Sequence, residues 1–152
     1  MNTVDHHICI VSDQRLANVI PILQLQPAQV TLIVSEDMRH ISTQLKVFLS
    51  VYSPNTYVTE RFGLSTDSLE AIQEFCLTLI SEIKDKDPNS LIIYNVTGGS
   101  KLMAIGFMQF SSDFDEIIYT DTSSHNILMI KNTPSSKIKM LSVLDIRSYF
   151  KA

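Results

Sequence analysis

The residues whose types and spacing could do chemistry lie in one short stretch, Asn95–Lys101, with the sequence Asn-Val-Thr-Gly-Gly-Ser-Lys. Gly98 and Gly99 can take positive φ and let the backbone approach a ligand without an intervening Cβ. A helix that begins after them offers free N–H groups and the positive end of its dipole, which favour an anion. Ser100 adds a hydroxyl and Lys101 adds a mobile cation. The stretch therefore predicts a phosphate-binding turn.

This turn does not match the two commonest nucleotide-binding signatures. A Walker A loop needs a Gly-Lys-Ser/Thr ending, whereas Ser100 precedes Lys101 here and Leu102 follows it. The Gly-x-Gly-x-x-Gly pattern is also missing, so ATP hydrolysis and dinucleotide binding are disfavoured. The alternative interpretation is a tight strand-to-helix turn with Lys101 in solvent. The scarcity of glycine favours the ligand-binding interpretation, because two of only four glycines are adjacent here.

A second polar turn, Ser12-Asp13-Gln14, follows the apolar run Ile8–Val11. We expect these three side chains to contact ligand, with the alternative that Ser12 or Asp13 caps the next helix. Asn95 ends a buried run, where it would either orient the phosphate-binding turn or contact ligand.

The remaining reactive side chains predict no further site. His6 and His7 lie near the N-terminus and are expected to be exposed to solvent. No histidine lies at metal-ligand spacing from a Cys, Asp or Glu, so we expect no metal and no cofactor. Cys9 and Cys76 lie in apolar segments and are predicted to be buried, reduced thiols.

Composition limits the partners. The chain is 45% hydrophobic and 18% charged with a formal net charge of −4, which suits one domain without a basic stripe for long nucleic acid. A phosphate-bearing ligand should therefore be small and held locally. Apolar runs are shorter than the ~18 residues that span a bilayer, and the N-terminus does not resemble a signal peptide. We expect a cytoplasmic protein with no membrane partner.

Hydrophobic periodicity predicts alternating strands and helices that would position the two turns. The expected strands are Ile8–Val11, Gln29–Val34, Thr56–Phe62, Leu91–Val96, Glu116–Thr120, Ile127–Lys131 and an edge strand Ile138–Leu141. Helical stripes run from Leu16 to Leu23, Met38 to Tyr52, Leu69 to Ile83, Lys101 to Phe110 and Leu144 to Phe150. Ser35 is expected to cap the second helix, and Asp67 with Glu70 resembles a capping box for the third.

This order predicts an α/β fold, a three-layer sandwich with a mainly parallel sheet and a C-terminal antiparallel hairpin. Residues 1–152 would form a single domain. Ligands of such sheets bind beyond the carboxyl ends of the strands, where the strand order reverses.

The stretch Ile92–Ala104 resembles the Asn-x-Thr-Gly-Gly-Thr-Lys-x-Met-(Ala/Ser) signature of CARF domains, the Rossmann-fold sensors of type III CRISPR systems. The closest variety is fused to PD-(D/E)xK nuclease domains. Ser100 stands where Thr is more usual. The resemblance extends to the Ser12-Asp13-Gln14 turn and to the strand–helix order. The segment Leu141–Phe150 resembles the stretch that closes such a sensor, which makes 144–152 a terminal connector helix.

The resemblance implies a Rossmann-like fold and a homodimer that binds a cyclic oligoadenylate, most often cyclic tetra-adenylate, across its two-fold axis. It implies sensing, without an effector domain in this chain. The implied ligand-binding residues are Ser12, Asp13, Gln14, Asn95, Thr97, Gly98, Gly99, Ser100 and Lys101.

Two other functions stay open. Some CARF domains are metal-independent ring nucleases, in which a ribose 2′-OH attacks the neighbouring phosphate of the ring. Such a reaction needs in-line positioning and a donor for the developing charge, for which Ser12 and Lys101 are the candidate catalytic residues. If the glycine turn is only a turn, the chain would be a structural subunit without a ligand.

Overall fold

Strands and helices alternate in the structure, a computed structural model that describes residues 5–131 and 136–139. The strands are β1 (His6–Ile10), β2 (Gln29–Val34), β3 (Tyr57–Phe62), β4 (Ile92–Asn95), β5 (Glu116–Asp121), β6 (Asn126–Met129) and β7 (Ser136–Lys139). The helices are α1 (Arg15–Leu25), α2 (Arg39–Tyr52), α3 (Leu69–Lys86) and α4 (Lys101–Met108). The predicted connector helix at 144–152 lies outside the described residues, as does the end of the predicted edge strand.

The seven strands form one sheet with the order β3-β2-β1-β4-β5-β6-β7. The pairs from β3 to β5 are all parallel, whereas β6 and β7 are antiparallel to their neighbours. This confirms the predicted α/β fold with a mainly parallel sheet and antiparallel C-terminal strands. The chain moves outward from β1 to β3 and then returns to place β4 on the other side of β1, so the strand order reverses between β1 and β4.

Alternating side chains of β1 divide the core between the two faces of the sheet. Ile8 and Ile10 pack with residues of α3 and α4, whereas Cys9 packs with residues of α1 and α2. A strand covered on both faces needs apolar residues at nearly every position, which explains its continuous apolar run. The helices thus form the two outer layers of the predicted sandwich. Both Cys9 and Cys76 are buried free thiols, as predicted.

Two predicted helix caps are wrong. Ser35 precedes a 3₁₀ turn, Glu36–Met38, and its Oγ donates to Asp37 instead of capping a helix. The N-cap of α3 is Ser68, whose Oγ accepts from the backbone N–H of Ala71 at 3.2 Å. Asp67 falls outside the helix because Ser65 Oγ accepts the backbone N–H groups of residues 67 and 68 in a local turn.

The prediction that His6 and His7 are exposed is also wrong. β1 begins at His6, two residues earlier than expected, so both residues lie in a central strand and are 8% and 0% exposed. His6 Nε2 lies 2.7 Å from Thr31 Oγ1, while within the described residues both ring nitrogens of His7 lack a hydrogen-bond partner. Burial lowers the pKa of His6 to about 4, with a further contribution from Lys86, and that of His7 to about 3.

Candidate functional site

The two polar turns meet at the reversal of strand order. Parallel pairing of β1 with β4 makes Ser12–Gln14 and Thr97–Lys101 leave the same edge of the sheet. The turns are closely packed at Gly98, where a Cβ would lie 2.0 Å from the carbonyl oxygen of Ile10. Such an approach requires glycine at this position.

Gly99 makes the same approach possible one residue later. Its φ is +85°, and a Cβ would lie 2.9 Å from Ile10 Cγ2. Both glycines are therefore required by packing against the end of β1, whether or not a ligand is bound. The tight strand-to-helix turn is therefore present, and its backbone lies at the carboxyl edge of the sheet.

The start of α4 supplies the groups that would grip an anion. Ser100 is the N-cap residue, and its Oγ accepts from the backbone N–H of Met103 at 3.2 Å. Lys101 is the first helical residue, is exposed, and has no hydrogen bond or ion pair within the ranges the structure describes. A free ammonium thus lies at the positive end of a helix dipole.

Asn95 and Thr97 make hydrogen bonds that fix the turn between β4 and α4. Asn95 is 1% exposed, and its Nδ2 donates to the carbonyl oxygen of Ala17 in α1 at 2.9 Å. Its Oδ1 accepts from the Thr97 N–H at 3.1 Å and from Thr97 Oγ1 at 2.6 Å. Thr97 Oγ1 in turn accepts the N–H of Thr120 at 2.7 Å. Of the two roles considered for Asn95, this geometry is that of orienting the turn, and direct contact with a ligand stays a prediction.

The Ser12–Gln14 turn differs from the expected helix cap. Gln14 is the N-cap of α1 and makes no side-chain cap bond, so capping by Ser12 or Asp13 is wrong. The first turn of α1 has no acidic side chain, but the exposed Asp13 carboxylate directly precedes the N-cap and lies near the positive end of the helix dipole. Ser12 Oγ is shielded from solvent and, among the described residues, has no hydrogen-bond partner. A buried hydroxyl without a partner is uncommon and marks a position where a ligand or water would be favourable.

Asn18 was not predicted as a candidate site residue, yet it supports both turns. It is 1% exposed, and its Nδ2 donates to the Ser12 carbonyl oxygen at 2.8 Å. Its Oδ1 accepts from Cys9 Sγ at 3.3 Å and lies 3.6 Å from where a Cβ of Gly98 would stand. The available signal was a polar residue within the apolar segment Ala17–Ile22 of α1.

The chemistry available at this edge is anion binding. Burial raises the pKa of the Cys9 thiol to about 12, so Cys9 is protonated at neutral pH and is a poor nucleophile. Among the described residues, no three His, Cys, Asp or Glu side chains come together as metal ligands.

The described helices also include none that is long and apolar enough to span a membrane.

The turns form an open surface on a single chain, because Asp13, Gln14, Gly99, Ser100 and Lys101 are all exposed. A cavity of about 290 Å³ lies at the opposite, amino edge of the sheet, where its lining includes His6 and Lys86. Lys101 and the exposed residues of the two turns are therefore separate from this cavity and would need a second surface to enclose a ligand.

Comparison with known proteins agrees with this architecture. A family model described as the Card1 CARF domain matches residues 6–149. The structure of Can2 from Sulfobacillus thermosulfidooxidans in complex with cyclic tetra-adenylate is similar, with 28% identity and a TM-score of 0.76 over 91% of this chain. No curated protein matches the sequence.

Two more distant structures share the fold. One is a type III CRISPR defence DNA nuclease activated by cyclic oligoadenylate, with 16% identity and a TM-score of 0.72 over 92% of this chain. The other is Enterococcus italicus Csm6 bound to cyclic hexa-2′-fluoro-hexa-dAMP, with 14% identity and a TM-score of 0.68 over 98% of this chain. The matches span 38% of the Can2 chain, 21% of the nuclease and 44% of Csm6, so this chain corresponds to less than half of each.

Proposed function

Because this chain belongs to the Card1 CARF domain family, we propose that it senses cyclic oligoadenylate, and specifically that a homodimer binds cyclic tetra-adenylate. The observation that carries the proposal is the meeting of two polar turns at the reversal of strand order, with the unpaired Lys101 ammonium at the start of α4. Can2, the similar protein with the highest identity given above, holds cyclic tetra-adenylate in its structure.

The electrostatics of the site suit a small polyanion. The whole chain carries a formal charge of −4, which opposes binding of long nucleic acid. At the site, however, Lys101 and the start of α4 direct positive potential towards one edge, whereas the Asp13 carboxylate at the start of α1 opposes it. A ring with four phosphates, presented with two copies of that edge, would find a cation and the start of α4 from each subunit.

Apolar exposure on α4 supports the dimer. Ile105 is 54% exposed and lies four residues after Lys101, on the same face of the helix. Tyr119, near the end of β5, is 43% exposed. A partner subunit that covered Ile105 would therefore approach Lys101 as well, and the two Lys101 side chains would converge on one ring.

Binding is tested by isothermal titration calorimetry with cyclic tetra-adenylate and the Lys101→Ala variant. We expect the parent to bind and Lys101→Ala to lose about a hundredfold in affinity, because a charge-assisted phosphate contact is worth roughly 3 kcal/mol. Its melting temperature should not change, since Lys101 has no partner to lose. Lys86→Ala, at the opposite edge, is the matched control and should bind normally. No binding by the parent would contradict the proposal.

The alternative function, a metal-independent ring nuclease, is favoured by one observation. Ser12 Oγ is buried without a hydrogen-bond partner beside the phosphate-gripping turn. A hydroxyl in this position could hold the ribose 2′-OH in line with its neighbouring phosphate, while Lys101 stabilises the charge that builds on the phosphate oxygens. As the 2′-oxygen bonds to phosphorus, the bond from phosphorus to the 5′-oxygen of the next nucleotide breaks and that oxygen takes up a proton. The products would be linear oligoadenylates with a 2′,3′-cyclic phosphate at one end and a 5′-hydroxyl at the other.

Cleavage is tested by incubating excess protein with radiolabelled cyclic tetra-adenylate in the presence of a chelator. Linear product in the parent reaction, and its loss in Ser12→Ala without loss of binding, would support the nuclease. Unchanged ring after prolonged incubation would remove the nuclease and leave sensing as the only function of the site.

A further inference from the structure

A proline inside α1 bears on how the site is held together. Pro21 is buried in the middle of α1 and has no backbone N–H. In a regular helix the N–H of residue 21 would donate to the carbonyl oxygen of Ala17, four residues earlier. That carbonyl instead accepts Nδ2 of Asn95, at 2.9 Å. The helix therefore lacks one of its own hydrogen bonds at the position where the phosphate-binding turn is attached to it.

We propose that Pro21 is a positioning residue for the ligand site, acting through the Ala17 carbonyl group and Asn95. The inference rests on the proposed function, because the groups being positioned are those that would grip the ring. It adds a residue that does not face the ligand and that belongs to a different element from the phosphate-binding turn.

The physical reason is the direction of one acceptor, the Ala17 carbonyl group. A proline ring is crowded against the carbonyl group four residues earlier, which favours a tilt of the Ala17 carbonyl away from the helix axis and makes its oxygen available to a side chain. With its Nδ2 bound there, Asn95 keeps Oδ1 directed to the N–H and Oγ1 of Thr97. A restored helical N–H at residue 21 would draw the carbonyl back towards the axis and weaken the Asn95 bond.

The same region of α1 holds the other turn. Asn18, next to Ala17, donates to the Ser12 carbonyl oxygen at 2.8 Å. Ala17 and Asn18 thus attach the turns after β4 and β1 to adjacent residues of one rigid helix. Fixing both turns to one element sets the distance between the groups that must reach different phosphates of a ring, which is the requirement of a pre-organised site.

The test is Pro21→Ala, because stability and binding should respond in opposite directions. Alanine restores a helical hydrogen bond and is the better helix former, which offsets the packing lost with the buried proline ring, so the melting temperature should stay the same or rise. Affinity for cyclic tetra-adenylate should fall about tenfold, as expected for losing a supporting hydrogen bond behind a binding group. Val47→Ala, on the exposed face of α2, is the matched control that improves helix propensity and should leave affinity unchanged.

A double-mutant cycle shows whether Pro21 acts through Asn95. In an Asn95→Ala background, Pro21→Ala should cause no further loss of affinity, because the bond it would weaken is already gone. Additive losses, or unchanged affinity in Pro21→Ala alone, would overturn the proposal.

A readout without ligand separates this inference from the proposed function. Hydrogen exchange of the Asn95 side-chain amide, followed by NMR, should be faster in Pro21→Ala than in the parent. If the parent bound no cyclic oligoadenylate, the sensing proposal would fail, while faster exchange would still support the Pro21–Asn95 link. Unchanged exchange would overturn the link whatever the ligand does.

Discussion

Single residues at this site divide into those whose side chains or backbone support the fold and those left free for the proposed ligand. Gly98 and Gly99 are required by their approach to Ile10, and Asn95 is consumed by bonds to Ala17 and Thr97. Lys101 and Ser12 Oγ, in contrast, have no partner among the described residues. Substitution of Gly98, Gly99 or Asn95 should therefore lower stability, whereas substitution of Lys101 or Ser12 should weaken binding alone.

The sequence identifies only those site residues whose role depends on their neighbours in the chain. The exposed Lys101 and the paired glycines are recognisable because their chemistry is local. Asn18 is not, since its value depends on the Ser12 carbonyl and the Cys9 thiol, which only the folded chain brings to it. His7 was wrongly expected to be exposed because its neighbours β2 and β4 come from distant parts of the sequence.

Buried His7 predicts a dependence of stability on pH. Burial lowers the pKa of His7 from its ordinary value of 6.5 to about 3. Between these values the unfolded chain binds a proton that the folded chain does not, so stability is full above pH 6.5 and falls on acidification. The free energy of unfolding should fall by up to about 1.4 kcal/mol per pH unit for this residue, once the pH is below 6.5.

The measurement is urea unfolding at intervals between pH 6.5 and 5, above the range in which most carboxylates titrate. His7→Leu should make the pH dependence of the free energy of unfolding shallower, whereas Val47→Ala, at an exposed position of α2, should not. An equal slope in the parent and in His7→Leu would show that His7 can be protonated in the folded state.

At the scale of elements, apolar runs located the strands because a buried strand must be apolar on both faces. The ends of helices were less predictable, as Ser68 and Asp67 show. Both residues can cap a helix, and the choice depends on a turn at Ser65 that competes for the same N–H groups. The meeting of the two site turns could be expected, because parallel order sends the loops after β1 and β4 to one edge.

The N-caps of α3 and α4 form a matched pair that separates capping from ligand binding. Ser68 Oγ and Ser100 Oγ each accept a backbone N–H three residues later at 3.2 Å. Ser68→Ala and Ser100→Ala should each lower the free energy of unfolding by about 1 kcal/mol in chemical denaturation.

Only Ser100→Ala should also weaken binding of cyclic tetra-adenylate, by about tenfold, because its hydroxyl and the start of α4 face the proposed ligand. Equal affinities of the two variants would show that Ser100 is a cap and nothing more.

At the scale of the whole molecule, the proposed homodimer would make each chain half of a site. The gripping groups are exposed on an open edge, and the apolar face of α4 lies beside them. Matched structures extend well beyond the part that this chain covers, so activities of those longer proteins are properties of their other parts as well.

Subunit association through α4 is tested with Ile105→Glu. Ile105 is 54% exposed, and a charge buried in an interface is costly, so the variant should be monomeric in sedimentation velocity with an unchanged circular dichroism spectrum. Leu77→Glu on α3, where the side chain is 50% exposed, is the matched control and should stay dimeric. A dimeric Ile105→Glu would place the subunit contact elsewhere.

The central claim is that two copies of this edge close around one ring. Native mass spectrometry of the parent with increasing cyclic tetra-adenylate tests it directly, because the mass gives the number of chains and rings in each complex. We predict one ring per dimer and no bound ring on the Ile105→Glu monomer. A saturated complex of one ring per chain would contradict the shared site, and the absence of any bound ring would contradict the proposed function itself.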